Sequence, residues 1–150
     1  MNNAMKVTRL MFVLYLLMFM VGCATGPASP DHPTVEHLAS LAYPSDASYG
    51  DNLDLIAIKE GFNLRLVNRT PNVYRDLQLW LNQQYVHEVS RIEIGENNLY
   101  HLDTFINKHK ESFPLGGFFT PEKAMPIILA ELYEPYAKQR FRLVVQPNKP

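Results

Sequence analysis

The chain has 150 residues, of which 47% are hydrophobic and 19% are charged. This balance excludes an intrinsically disordered chain, which lacks the apolar residues to build a core, and it excludes a protein made of many membrane spans. The formal net charge is −1, and the basic residues are scattered instead of forming one basic face, so nucleic acid is not an expected partner. The arginines of the carboxyl-terminal part are Arg65, Arg69, Arg75, Arg91, Arg140 and Arg142.

The first 22 residues differ in composition from the rest. Lys6 and Arg9 precede an uninterrupted apolar run, residues 10–21, with no charge and no proline. The run is shorter than the roughly 20 residues that a membrane-spanning helix needs, and its length falls within the roughly 7–15 apolar residues of a secretory signal. The sequence therefore predicts a signal peptide at residues 1–22. Translation from Met1 and translation from Met5 are both compatible with this pattern.

The only cysteine follows the apolar run directly. Val21-Gly22-Cys23 resembles the lipobox of bacterial lipoproteins, in which small residues precede an obligatory cysteine. The resemblance, which is confined to the amino-terminal segment, implies that Cys23 receives a diacylglyceryl group and that a dedicated signal peptidase cleaves between Gly22 and Cys23. A further fatty acyl chain such as palmitate would complete the anchor, since two or three chains hold a protein firmly on a membrane. An ordinary signal peptide and an uncleaved anchor are the alternatives.

The same resemblance implies a location. Ala24 follows the cysteine, and the absence of aspartate at that position is typical of lipoproteins sorted to the outer membrane. We therefore expect a lipid-anchored protein of the bacterial cell envelope that faces the periplasm from the outer membrane. Its implied partners are the membrane, through the covalent lipid, and the lipoprotein-processing enzymes during maturation. Because a single cysteine forms no intramolecular disulfide framework, the domain must depend on its hydrophobic core.

Residues 23–51 are predicted to be the lipidated cysteine and a flexible tether, because proline, serine and other small residues dominate this segment. Residues 34–41 within it are compatible with one or two turns of helix, with Thr34 as the N-cap. The tether is expected to hold the following domain away from the membrane.

Residues 52–147 are predicted to form a β-domain, because short alternating runs are separated by turn residues. The predicted strands are residues 53–59, 62–68, 74–82, 85–94, 99–106, 127–133 and 140–146. In the third strand Leu77, Leu79 and Leu81 alternate with polar positions and with Trp80. Alternation places Trp80 opposite the leucines, and we expect it to be buried through a change of register, an exposed contact being the alternative. A helix over residues 121–133 competes with the sixth strand.

About seven short strands at regular spacing predict an all-β fold, a small antiparallel sandwich of two sheets. The segment LVNRTPNVYRDLQLWLNQQYV, followed by the IEIG turn and LYHLDTF, resembles an immunoglobulin-like or fibronectin-type-III-like domain. The chain has no Cys…Trp…Cys arrangement, which excludes the antibody-type subclass. Residues 148–150 are predicted to be a carboxyl-terminal tail.

Two places in the domain could carry a binding site. His101 and Asp103 lie two residues apart on a predicted strand, a spacing that suits a metal site as well as an ordinary polar strand face. A loop over residues 107–120 contains Phe113, Phe118 and Phe119. These aromatic residues offer contacts to a ligand or partner, or they close one end of the sandwich.

Catalysis is not predicted. No serine has the histidine and the orienting acid of a nucleophilic site, and neither a phosphate-binding loop nor a cofactor motif is found. We therefore expect a non-enzymatic lipoprotein, with no cofactor, that presents the sandwich as an interaction or assembly module to an envelope protein partner. The alternative is a periplasmic lipoprotein that binds a small molecule, a peptide or a metal.

Overall fold

Alternating apolar side chains form nine strands in the part of the chain that the structure, a computed structural model, describes: residues 33–117 and 123–146. The elements in chain order are helix α1 (Val35–Ser40), β1 (Ser48–Tyr49), β2 (Leu55–Glu60), β3 (Asn63–Asn68), β4 (Tyr74–Leu81), β5 (Tyr85–Ile92), β6 (Gly95–His101), a 3-10 helix (Leu102–Thr104), β7 (Ala130–Glu134), β8 (Gln139–Arg142) and β9 (Val144–Gln146). The predicted signal peptide, the lipobox, the cleavage site and the tail at residues 148–150 lie outside the described residues.

The strands form two sheets. The five-stranded sheet has the order β1-β8-β7-β4-β5, and the four-stranded sheet has the order β6-β3-β2-β9. Neighbouring strands are antiparallel except for two pairs, β1 with β8 and β2 with β9, which are parallel. The prediction of an all-β sandwich with mainly antiparallel sheets is therefore confirmed.

One hydrophobic core lies between the sheets. Leu77, Leu79 and Leu81 of β4 face it, as the alternation predicts, together with leucines of β2 and β3 from the other sheet. Trp80 faces away from this core, and yet it is buried, in a second cluster with Leu38 on the outer side of the five-stranded sheet. Burial of Trp80 is thus found without a shift of register, because another segment of the chain covers that face.

That segment, residues 33–49, we call the strap. The Thr34 side chain caps α1 by accepting a hydrogen bond from the His37 backbone N–H at 3.2 Å, so the helix that Thr34 predicts is present. Leu38 packs against Trp80, and β1 adds to the edge of β8. The strap is therefore part of the folded domain, although its composition predicts a flexible tether. Residues 24–32 of the predicted tether lie outside the described residues.

Two predicted strands differ from the observed ones by more than a shift of their ends. The strand predicted at residues 99–106 ends at His101, because the following 3-10 turn buries both Leu102 and Phe105 in the core. Residues 95–98, which lie between two predicted strands, belong to β6, since the chain passes from one sheet to the other within two residues after Ile92. The last predicted strand divides at Leu143, where the chain changes sheets between β8 and β9. The sixth predicted strand is present as β7, and the competing helix does not form at residues 123–133.

Buried asparagine side chains fix two of the passages between the sheets, β5 to β6 and β3 to β4. The Asn98 amide donates to the backbone carbonyls of Leu66 and Glu93 at 3.2 and 2.9 Å, and its oxygen accepts from the Glu93 N–H at 2.6 Å. Asn68 donates to the Asn72 carbonyl at 2.7 Å, where β3 leads into β4. Each side chain satisfies backbone groups that the ladders leave unpaired.

Candidate functional site

Two of the residues singled out in the sequence line the same cavity at one end of the sandwich. This end cavity has a volume of about 710 Å³, and Asp103 and Phe113 both contribute to its wall. The other main contributors are Phe62, Tyr85, Glu111 and Met125. A volume between roughly 300 and 1,000 Å³ with apolar walls and a few polar groups is typical of sites for small ligands.

Phe113 belongs mainly to the core. Its side chain is only 1% exposed, and its ring meets that of Tyr85 edge to face at 5.2 Å between centroids. The Lys59 ammonium lies 5.6 Å from the ring centroid and donates to the Met125 carbonyl at 2.9 Å. Burial lowers the pKa of Lys59. Phe113 is therefore at the base of the cavity and does not form an exposed surface, while Phe118 and Phe119 lie outside the described residues.

His101 and Asp103 contact each other through His101 Nδ1 and Asp103 Oδ1. The contact arises from the 3-10 turn that follows β6, not from alternation along a strand. Thr104 Oγ1 closes this turn by donating to the His101 carbonyl at 2.7 Å. Among residues 33–117 and 123–146, no three His, Cys, Asp or Glu side chains are placed to hold a metal ion.

A buried polar network lies under the strap and was not predicted from the sequence. Glu131 on β7 is 1% exposed, although it points to the outer side of the sheet. The Tyr43 and Tyr49 hydroxyls donate to its two carboxylate oxygens at 2.6 and 2.8 Å. Burial and the hydrogen bond to Glu131 raise the pKa of Tyr43 to about 12. An acid inside an apolar run, as in IILAELY, is the only sequence signal for such a site.

Arg140 completes the network. Its guanidinium donates to the Ser45 carbonyl at 3.1 Å and to the Ala47 carbonyl at 3.0 Å, and it contacts the Tyr43 hydroxyl. The guanidinium carbon lies 4.3 Å from the Tyr49 ring centroid, close enough for a cation–π interaction. The charged groups of the sheet thus fix four residues of the strap.

The opposite outer face, on the four-stranded sheet, is apolar. Leu55 and Ala57 of β2 point into the core, so Ile56 and Ile58 point outward. Ile56 pairs with Val144 of β9 on one side and with Val67 of β3 on the other. We call the outward group the sheet-face patch. Its members are Ile56, Ile58, Val67, Leu99 and Val144.

The sheet-face patch combines exposed and buried side chains. Val144 and Leu99 are 55% and 51% exposed, while Ile56 and Val67 between them are 3% and 7% exposed. A bidentate ion pair lies within the patch, because Arg65 stands between Ile58 and Leu99 in the strand register. Arg65 Nε and Nη2 each donate to a Glu60 carboxylate oxygen at 2.8 Å, and this pairing lowers the pKa of Glu60. The continuous apolar run LIAI in β2 is the sequence signal for a strand that is apolar on both faces.

No helix within residues 33–117 and 123–146 has the length and apolarity to cross a membrane. Comparisons of this chain with protein-family models, with curated proteins and with solved structures find no match.

Proposed function

We propose that this chain is a lipid-anchored envelope protein whose β-sandwich is a non-enzymatic interaction module, and that the sheet-face patch meets the partner protein. The observation that carries the proposal is the strand β2, which is apolar on both faces in a two-layer sandwich. Exposed apolar side chains on such a face, here Leu99 and Val144, mark interaction sites on protein surfaces. Arg65, paired with Glu60, lies between Ile58 and Leu99 on the same face and adds a polar contact to the apolar group.

We further propose an immunoglobulin-like topology. If β2, β3, β4, β5, β6, β7 and β8 are labelled A, B, C, C′, E, F and G, one sheet holds A, B and E and the other holds C′, C, F and G. This division of strands resembles the immunoglobulin arrangement, without a strand D among the described residues and with β1 and β9 added at the sheet edges. Domains of this architecture present their sheet faces and edges to partners, which supports an interaction module.

The anchor is the part of the proposal that concerns Cys23. We expect the amino-terminal peptide of membrane-extracted protein to begin at Cys23 and to carry acyl chains, and we expect outer-membrane sorting because Ala24 follows it. Mass spectrometry of that peptide tests this directly, with a Cys23→Ser variant as the control. A peptide that begins elsewhere with a free thiol would overturn the anchor.

The interaction face is tested by site-specific photo-crosslinking in intact cells. A photo-reactive residue at Leu99 or Val144 is expected to give one protein adduct. Leu99→Arg, on the opposite edge strand of the same sheet, is expected to reduce the adduct yield of the probe at Val144 at least tenfold, which corresponds to about 1.4 kcal/mol. Tyr136, which is 89% exposed on the β7–β8 turn, is the control position. Equal adducts at Tyr136, or none at the patch, would contradict the assignment.

The end cavity favours a second candidate function, capture of a periplasmic ligand. Its wall joins aromatic side chains to two acids, Asp103 and Glu111, and to Lys123, so an amphiphilic ligand such as a short peptide with a free amine would fit. Binding to the folded state would raise the unfolding temperature by mass action. We expect Asp103→Asn to remove that shift and Asp46→Asn, in the strap, to retain it. The absence of a shift across peptides and divalent metals would exclude this function.

A further inference from the structure

We propose that a groove beside the strap, which we call the strap groove, binds a small amphiphilic carboxylate. Its two walls are residues 39–43 of the strap and residues 106–109, and its volume is about 570 Å³. The strap groove shares no lining residue with the end cavity. Neither the sheet-face patch nor the lipid anchor enters the argument, so the site is additional to the proposed interaction module.

The floor of the strap groove is apolar. Trp80, Val86 and Ile106 form it together. These side chains are almost completely buried, so they give the floor its shape and offer little surface themselves. The accessible apolar surface comes from the half-buried Leu41 and Tyr43 of the strap wall. A ligand in the groove would therefore contact the strap and the sheet at the same time.

The strap wall is held in place by its own contacts. The Tyr43 ring meets the Trp80 ring edge to face, with 5.5 Å between centroids. The Gln83 amide donates to the Tyr43 hydroxyl at 3.0 Å, and the Leu41 N–H donates to the Leu38 carbonyl at 3.1 Å. A wall that is ordered before the ligand arrives loses little conformational freedom on binding.

The opposite wall is fixed by Asn107. Its side-chain oxygen accepts hydrogen bonds from the backbone N–H groups of His109 and Glu111, each at 2.9 Å. Its amide donates to Glu111 Oε2 at 2.8 Å. These bonds define the turn that carries the exposed side chains of Lys108 and His109, which both line the groove.

The charge of the lining favours an anion. Two basic side chains, Lys108 and His109, line the groove, and among the described residues no Asp or Glu does so. The nearby acids have other partners: Glu111 accepts from Asn107, and Glu36 on α1 pairs with Lys110 at 3.6 Å. Within the described ranges, no acidic side chain forms an ion pair with Lys108 or His109.

An amphiphilic carboxylate matches both properties of the groove. Its carboxylate would accept charge-assisted hydrogen bonds from the Lys108 ammonium, while its apolar part lies on Leu41 and Tyr43. The volume falls within the roughly 300–1,000 Å³ of clefts for small ligands. Because the strap forms one wall, the ligand binds only the docked strap, and binding would hold the strap on the sheet by mass action.

The fluorescence of Trp80, the only tryptophan of the chain, reports binding at the floor of the groove. The purified full chain is titrated with phenylpropionate and, separately, with phenylpropylamine, which has a similar apolar part and the opposite charge. We expect a saturable change in Trp80 emission with the carboxylate and binding that is weaker by about fivefold for the amine. Acetate, which lacks the apolar part, is expected to leave the emission unchanged.

A charge reversal locates the carboxylate. Lys108→Glu should weaken phenylpropionate binding by about fivefold and strengthen binding of the amine, because an exposed attraction becomes a repulsion. Lys138→Glu is the matched control, since Lys138 is equally exposed but lies on the β7–β8 turn, at the end of β7 away from the β4–β5 turn. Circular dichroism is expected to show the same fold in both variants.

Hydrogen exchange gives an independent measure, because phenylpropionate should slow exchange of the Leu41 N–H in the wild type and not in Lys108→Glu. The absence of a saturable change in Trp80 emission, or equal binding of the carboxylate and the amine, would overturn the proposal. So would equal phenylpropionate binding by Lys108→Glu and the wild type. None of these results alters the crosslinks expected at the sheet-face patch, which lies on the other sheet, so failure of this site and failure of the interaction module are distinguishable.

Discussion

A buried carboxylate on the outer side of a sheet requires donors from another part of the chain, since burial without hydrogen bonds is costly. Tyr43 and Tyr49 supply these donors to Glu131. The Tyr43 hydroxyl also accepts from the Gln83 amide at 3.0 Å and from Arg140, so its donor and acceptor capacity is used fully. Single hydroxyl groups therefore contribute to holding the strap on the sheet.

The first prediction concerns this hydroxyl. Tyr43→Phe should lower the free energy of unfolding by about 1–3 kcal/mol, because a buried oxygen of Glu131 and the Arg140 guanidinium both lose a partner. Urea unfolding followed by circular dichroism measures the change. Tyr136→Phe is the matched control, and its exposed hydroxyl predicts a change within about 0.5 kcal/mol. Equal effects of the two substitutions would contradict the network.

The second prediction is alkaline destabilisation. Burial and its hydrogen bond to Glu131 raise the pKa of Tyr43 from 10.0 to about 12, and burial raises the pKa of Tyr100 likewise. Between pH 10 and pH 12 the unfolded chain loses these protons while the folded chain keeps them, so stability falls as the pH rises through that window. Unfolding free energies measured across it should decline less steeply in Tyr43→Phe than in the wild type. The same decline with pH in Tyr43→Phe and in the wild type would argue against the raised pKa of Tyr43.

The third prediction separates two phenylalanines that line the end cavity. Phe113→Ala should cost about 3–5 kcal/mol of stability, because it empties a core position. Phe62→Ala should cost far less, since Phe62 lies in the β2–β3 turn and is 57% exposed. If the cavity binds a ligand, Phe62→Ala is the variant that weakens binding in a folded protein. Chemical denaturation of the two variants tests the difference, and comparable losses would contradict the burial pattern.

At the scale of elements, the strap depends on one apolar anchor as well as on the polar network. The fourth prediction is that Leu38→Ala costs about 2–5 kcal/mol, whereas Val35→Ala on the exposed side of α1 stays within about 0.5 kcal/mol. The Leu41 N–H donates to the Leu38 carbonyl at 3.1 Å, and its hydrogen exchange should be faster in Leu38→Ala than in the wild type. Unchanged exchange in Leu38→Ala would mean that α1 is held by other contacts.

The strands were predictable because alternation is local. Leu77, Leu79 and Leu81 are apolar at every second position, and that pattern alone assigns them to one face. Positions 102 and 105 are also apolar, but their spacing of three suits a helical turn, which the strand prediction missed. The helix start at Thr34 was found because a cap is likewise local.

The strap and the candidate sites were not predictable by the same means. Whether residues 33–49 dock depends on Trp80 and Glu131, far away in the sequence, and the composition of the strap is that of a linker. Asp103 and Phe113 share a cavity only because two loops meet at one end of the sandwich. The sheet-face patch had a local signal, the unbroken apolar run in β2. That run was predicted only to be a strand, and an apolar outer face was not inferred from it.

For the whole molecule, one core shared by both sheets predicts a single cooperative transition. Trp80 is the only tryptophan and lies under the strap, so its fluorescence reports strap docking while far-UV circular dichroism reports the sheets. The fifth prediction is that both signals change at the same urea concentration. Fluorescence that changes at lower urea would show a strap that leaves the sheet first and would contradict a single transition.

The parallel pairing of the first two strands with the last two has a consequence for the order of folding. β2 bonds to β9 and β1 bonds to β8, so both sheets are completed only by the last described strands. Closing such distant contacts is slow, because loop entropy is lost before the contacts form. A chain that leaves a translocation channel amino terminus first would thus have its lipid attached and its signal removed while the domain is still open. On the proposed lipid anchor, maturation at Cys23 would precede closure of the sandwich at Val144.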